Sequence, residues 1–177
     1  LDSANPPAQP AWTPLDLDQR RQSARAAVAG WRRAHPGPVT MRIALPAGPG
    51  ATLVWSRLAE ALYAIGITPV RSALDAPADL RLVDAVAPYD SARWFVATAC
   101  QACSDDAQTL IEAARDAPDL YARAHRIAEA DAALTADGAF IPIAQPFRWS
   151  IVALRLQAWQ GNARAWHPLN HLRNETR

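Results

Sequence analysis

Val39, Met41, Ile43 and Leu45 alternate with Thr40, Arg42 and Ala44, the period-two pattern of a strand with one covered face. "PAGPG" turns the chain, after which Val54, Leu58, Ala61, Leu62 and Ile65 recur at helical spacing. Gly66 then stands where a left-handed helix cap belongs, and "ITPVRSAL" predicts the next strand. A strand–helix–strand crossover of this length favours a right-handed unit with its two strands parallel. Pro69 has no N–H to give to a ladder, so the second strand belongs at an edge or pairs on one side only.

Upstream, Leu17, Ala24, Val28 and Trp31 mark one face of a helix from Asp16 to Ala34, with Arg21, Arg25 and Arg32 on a solvated face. Trp31 and Trp55 fall on helices and are expected in the core. Residues 1–15, rich in proline and without periodicity, read as an extended linker anchored by Trp12. Downstream, "DLRLVDAVAP" fits a short helix or a strand, while the aromatic "ARWFVATA" predicts a strand. Ser104 with Asp105 and Asp106 caps a helix buried through Ala107, Leu110, Ile111 and Ala114. Another helix starts at Pro118, carries Leu120, Ala124, Ile127 and Leu134 on its stripe, and ends at "DG". "AFIPIAQP" and "RWSIVAL" look like strands split by Pro146, and the tail after them has no clear period. The sum is an α/β or α+β fold, a mixed sheet of about five strands with four helices packed on it.

At 177 residues the chain suits one domain, burying roughly 70% of its unfolded surface. Half the residues are hydrophobic and a fifth charged, which excludes intrinsic disorder. The net charge is +1, and the 18 basic residues, all arginine, are scattered. No basic block stands ready to track a phosphate backbone, so nucleic acid is not an expected partner. No apolar run approaches the roughly eighteen residues of a membrane span, so the chain is not expected to cross a membrane itself. A start at "LDSANPPAQPAWTP" reads as the middle of something longer, with any export signal absent or already removed.

The chemistry centres on the two cysteines of "ATACQACSDDAQTLI", Cys100 and Cys103. Zinc would need His167 and His171 to complete a Cys2His2 set, but the two pairs lie more than sixty residues apart and Pro168 and Asn170 interrupt the histidines. A redox dithiol needs a stabilised thiolate at a helix start, and Asp105 and Asp106 oppose one there. A local disulfide, worth about 2 kcal/mol in so small a loop, is the expectation if the protein is exported, and two unpaired thiols are the remaining reading. No Gly-x-Ser-x-Gly, His-Glu-x-x-His or phosphate loop occurs, "AGPGAT" lacking both the lysine and the glycine spacing, so no catalytic residue and no cofactor is assigned. Trp94 and Trp149 lie on strand-like segments that run into loops, where an indole offers a ligand flat contact area or simply packs between strand and helix.

Taken in order, "VTMRIALPAGPGATLVWSRLAEALYAIGITPVRSAL", "YDSARWFVATA", the segment from Ser104 through "AFIPIAQPFRWSIVA", and "GNARAWHPLNHLR" resemble the C-terminal part of the family 5 extracellular solute-binding proteins. These are the peptide, dipeptide and nickel receptors of ABC importers. The most specific pieces are Ile65-Gly66-Ile67 after the amphipathic helix and Phe140-Ile141-Pro142-Ile143 after the long one. The resemblance implies a periplasmic-binding-protein-like lobe. Residues 16–146 would be the second lobe, and residues 147–177 a segment returning through the hinge to a first lobe outside this chain. It implies a non-enzymatic receptor, exported to the periplasm and open to membrane anchoring through its missing N-terminus, that delivers a small solute or peptide to the membrane permease. It implies ligand contacts at Trp94, Thr98 and the Cys100–Cys103 turn, with Trp149 added as an aromatic contact. Cys100 and Cys103 would be bridged in that compartment. "TACQAC" stands where peptide receptors often carry an acidic residue, which leaves the solute open between a peptide and another small molecule. The alternative is a small redox or zinc protein built on Cys100 and Cys103.

Overall fold

The computed structural model describes residues 2–89, 91–144 and 151–153. The chain divides into two compact units, Trp12–Ala85 on the one hand and Leu1–Ala11 with Val86–Arg177 on the other. Among the described residues they give a mixed α/β protein with five helices and one small parallel sheet.

The sheet unit contains β1 (Val39–Ala44), β2 (Ile67–Ser72) and β3 (Leu80–Arg81), in the order β2-β1-β3. β1 pairs with both neighbours in parallel, Val39 opposite Ile67 and Ile43 opposite Leu80. β2 is therefore the edge strand that Pro69 predicts. Just past β1, the N–H of Leu45 donates to the carbonyl of Ser72. Because N–H and C=O of one residue point the same way in a strand, Thr68, Val70 and Ser72 face β1 and Pro69 faces outward. Between these strands runs α2 (Pro49–Ala64), started by Pro49 behind Gly48 and packed against β2. Gly66, at φ 87°, turns α2 directly into β2, a backbone conformation that side chains disfavour.

Ile43, Leu45, Ile67 and Pro69 line the buried face of the sheet, whereas on the other face Ala44 is buried but Thr40, Arg42, Thr68 and Val70 are exposed. Asp79 ties the loop before β3 to β1. Its carboxylate accepts the Arg42 N–H at 2.7 Å and lies 3.5 Å from the Arg42 guanidinium, and its N–H donates to the Arg42 carbonyl. The backbone bond from Arg42, more than its charge, holds the Asp79 carboxyl below the usual range.

α1 (Leu17–Ala34) opens with a capping box between Asp16 and Gln19, yet none of its residues is buried. Arg25 Nε donates to the Ala64 carbonyl at 2.8 Å and Arg32 Nη2 to that of Gly66 at 2.7 Å. Trp31 is not in the core as its periodicity suggests. It is 55% exposed and stacks on His35, one turn further along, at 3.8 Å. A flat ring on the last turn of a helix can stack on the residue that caps that helix instead of on another element.

The second unit is helical: α3 (Ala92–Ala99), α4 (Asp105–Arg115) and α5 (Leu120–Asp137). Val96, Ala107, Ile111, Ala130 and Leu134 make its main core cluster, and Ala92, Ala114 and Ile127 a second. "ARWFVATA" is helix α3, not a strand. Ala92 and Val96, one turn apart, are its buried residues, and its three alanines favour helix. Residues 139–144 carry no strand, and residues 145–146 of that segment with most of "RWSIVAL" lie outside the described residues. Among the described residues the sheet thus has three strands instead of about five.

Residues 2–11 have no regular structure but dock on the helical unit. The N–H of Ala4 donates to the Ala124 carbonyl, and that of Ala8 to Asp131 Oδ2. Among the described residues no helix is long and apolar enough to cross a membrane.

Candidate functional site

Of the residues singled out by sequence, Trp94, Thr98, Cys100 and Cys103 lie on α3 and in the turn that leads to α4. α3 sends Ala92 and Val96 into the core, and Trp94 and Thr98, also four apart, share an adjacent stripe. Trp94 is half-buried, with the edge of one ring meeting the face of the other at Phe95, centroids 5.2 Å apart and planes at 87°. Phe95 itself is 46% exposed, which gives the stripe an accessible aromatic surface. The carbonyl of Thr98 accepts a bond from Gln101 Nε2 at 2.8 Å, which folds the following turn back on the helix.

Cys100 closes α3, its N–H donating to the Val96 carbonyl. Cys100 and Cys103 are paired at disulfide distance, with Cα atoms 5.1 Å apart. Both are half-buried and pack against the cluster of Val96, Ala107, Ile111, Ala130 and Leu134. The pair thus faces the helical core, while Trp94 and Thr98 occupy another stripe of the same helix. Trp149, His167 and His171 lie outside the described residues.

α4 begins as its sequence suggests, Ser104 Oγ accepting from the Ala107 N–H at 3.3 Å. A partner with no local signal completes that cap. Asp137, the last residue of α5, accepts from both the hydroxyl (2.7 Å) and the N–H (3.0 Å) of Ser104. Those two bonds, the hydroxyl's first, lower the Asp137 carboxyl from its ordinary value against a small opposing effect of burial. Among the described residues no group of three or more His, Cys, Asp or Glu is placed to hold a metal ion. What the α3–α4 corner presents is the Trp94–Phe95 pair, with Phe95 exposed and Thr98 one turn away from Trp94. Among the described residues it brings together no nucleophile and base.

The sheet unit has its own concavity, a shallow cleft of about 510 Å³ lined by Arg25, Val28, Arg32, Tyr63, Ile65 and Gly66. The arginine face that reads in sequence as merely solvated forms its rim, because Arg25 and Arg32 reach the carbonyls at the end of α2. Cations there also offset the negative end of the α2 dipole.

Comparison with protein-family models, with curated proteins and with solved structures finds no match for this chain.

Proposed function

We propose that the chain is part of the second lobe of a two-lobe solute receptor of the family 5 extracellular type. It binds a peptide or other small solute and presents it to an ABC permease, without chemistry of its own. The observation that carries this reading is the parallel β1–α2–β2 crossover, with Ile65-Gly66-Ile67 at the junction of α2 and β2. Those residues are one of the two most specific pieces of the resemblance, and the parallel pairing of the strands on either side of α2 supports reading them as part of a crossover unit. The accessible Trp94–Phe95 pair, next to the turn that this family uses for its ligand, supplies contact area. Export to an oxidising compartment accounts for the pairing of Cys100 with Cys103.

Ligand in such a receptor shifts the balance of open and closed states by contacts made only when closed. The test is a thermal-shift and tryptophan-fluorescence screen of the protein carrying both lobes, against peptides, opines, sugars and nickel. A ligand at a hundredfold excess over its Kd adds about 2.7 kcal/mol to stability, an easily read shift. No response to any of them, together with disulfide-reductase turnover by the cysteine pair, would replace this reading with a redox one.

A further inference from the structure

α3 does not cap itself. Ser91 has the extended backbone of an N-cap residue, φ −139° and ψ 126°, but its hydroxyl makes no bond to its own helix. The cap comes from Asp2, 90 residues away in sequence, whose Oδ1 accepts the Ala92 N–H at 2.6 Å. Its Oδ2 accepts from the Ser91 hydroxyl and from Arg123 Nε, each at 3.2 Å. Ser91 is 6% exposed, and its oxygen accepts in turn from Arg123 Nη2 at 3.1 Å. Arg123 Nη1 donates to the Ala114 carbonyl at 3.2 Å, so the guanidinium is aimed by α4 and by Ser91, with or without Asp2.

Three donors of different kinds, a backbone N–H at a positive helix end, a buried hydroxyl and an oriented guanidinium, converge on one carboxylate. That is a donor set for carboxylates as a class, because charge-assisted bonds to a guanidinium and helix-start N–H groups both favour an anion. The segment that delivers Asp2 is lightly attached. Among the described residues its bonds to the helical unit, besides those of Asp2, are those of Ala4 and Ala8, and Ala4, Pro6 and Pro7 are exposed. Burial raises the Asp2 carboxyl, but the bonds from Ala92, its own N–H, Arg123 and Ser91 outweigh it and leave it below its ordinary value, ionised at neutral pH.

We propose that Ser91, the Ala92 N–H and Arg123 form a carboxylate-binding seat that the N-terminal segment fills in cis with Asp2, and that a free carboxylate occupies it once Asp2 is withdrawn. This stands independently of the receptor reading, since it involves none of Trp94, Thr98, Cys100 or Cys103.

The test is chemical rescue in the full chain at neutral pH, acetate against chloride at matched ionic strength. Asp2→Ala lowers the melting temperature by several degrees, on the order of the 4–8 °C that 1 kcal/mol represents in a unit of this size. It also moves the Ala92 amide cross-peak in the 15N–1H spectrum. Acetate then restores at least half of the melting shift, saturably, and returns the Ala92 cross-peak toward its wild-type position. Wild-type protein, with the seat already filled, does not respond, and adding Arg123→Gln to Asp2→Ala abolishes the rescue. If Asp2→Ala fails to fold, Asp2→Asn gives the same titration with a milder starting loss. Equal effects of acetate on wild type and variant, or an Ala92 cross-peak indifferent to acetate in the variant, would overturn the proposal.

Discussion

The two units of this chain hold themselves together by different means. The helical unit buries Val96, Ile111, Ile127 and Leu134 among Ala107, Ala114 and Ala130, small residues that let the helices approach closely. The sheet unit has for its buried residues Ile43, Ala44, Leu45, Ile67 and Pro69, and neither α1 nor α2 contributes one. Parallel sheets are ordinarily covered on both faces, yet here Thr40, Arg42, Thr68 and Val70 stay exposed. Polar bonds take up part of the task. Arg25 and Arg32 fasten α1 to the carbonyls at the end of α2, and Asp79 fastens the β3 loop to Arg42. Interlocked side chains and guanidinium-to-carbonyl bonds both position a helix, but only the first removes much apolar surface from water.

The sharpest contrast is between two leucines that each fall on the apolar stripe of their helix in sequence. Leu134 is fully buried, so Leu134→Ala should cost about 2–5 kcal/mol in urea unfolding of the helical unit. Leu17, 59% exposed on α1, should change stability by no more than about 0.5 kcal/mol when made alanine. Similar losses at both positions would erase the distinction drawn between the units.

Reducing the Cys100–Cys103 pair comes next, at about 2 kcal/mol in the chain-entropy account. The loss should appear in the helical unit alone, with amide exchange in the sheet unit unchanged. Gly66→Ala tests the other side. A Cβ there meets Val28 at an ordinary 3.7 Å, so the cost is that of φ 87° in a residue with a side chain, about 1–2 kcal/mol. Amides of β1 and β2 should exchange faster, and those of α4 and α5 should not.

The smallest effect is on pH dependence. Asp2 and Asp137 in the helical unit and Asp79 in the sheet unit all lie below the ordinary carboxylate value of 3.8 when folded. A depressed folded value contributes stability that is present above the unfolded value and is lost as pH falls through the folded one. Melting temperature should therefore hold steady down to about pH 5 and fall below it, and Asp2→Asn should flatten part of that fall. An unaltered acid limb in Asp2→Asn would show that the Asp2 bonds add nothing to the pH profile.

The elements legible in sequence are those whose signals are local. Pro69 indicates an edge strand, Gly66 the end of α2, and Ser104 the start of α4, because each imposes or satisfies a backbone requirement within a few residues of itself. α3 was obscured because Trp94, Phe95 and Val96 have high strand propensity, while the spacing of Ala92 and Val96, which sets the outcome, is also that of a short helix. The contacts of Asp137 with Ser104 and of Asp2 with Ser91 and Arg123 bridge 33 and up to 121 residues, so no window along the chain contains them. Of the candidate site, the stripe shared by Trp94 and Thr98 follows from their spacing once α3 is known to be a helix. The inward packing of the cysteines depends on α4 and α5, which lie elsewhere in the chain.

Pro69 has a further consequence for how this molecule behaves in company. Among the described residues the outer side of β2 pairs with no strand, and such an edge of a parallel sheet is the kind of surface on which a second chain adds a strand and begins to aggregate. Along that side the donors would come from Ile67, residue 69 and Arg71, and the middle one is missing because the residue is proline. An incoming strand would find its ladder interrupted at the centre. A single ring on an edge strand thus gives a thinly buried sheet some protection against assembling with its own copies.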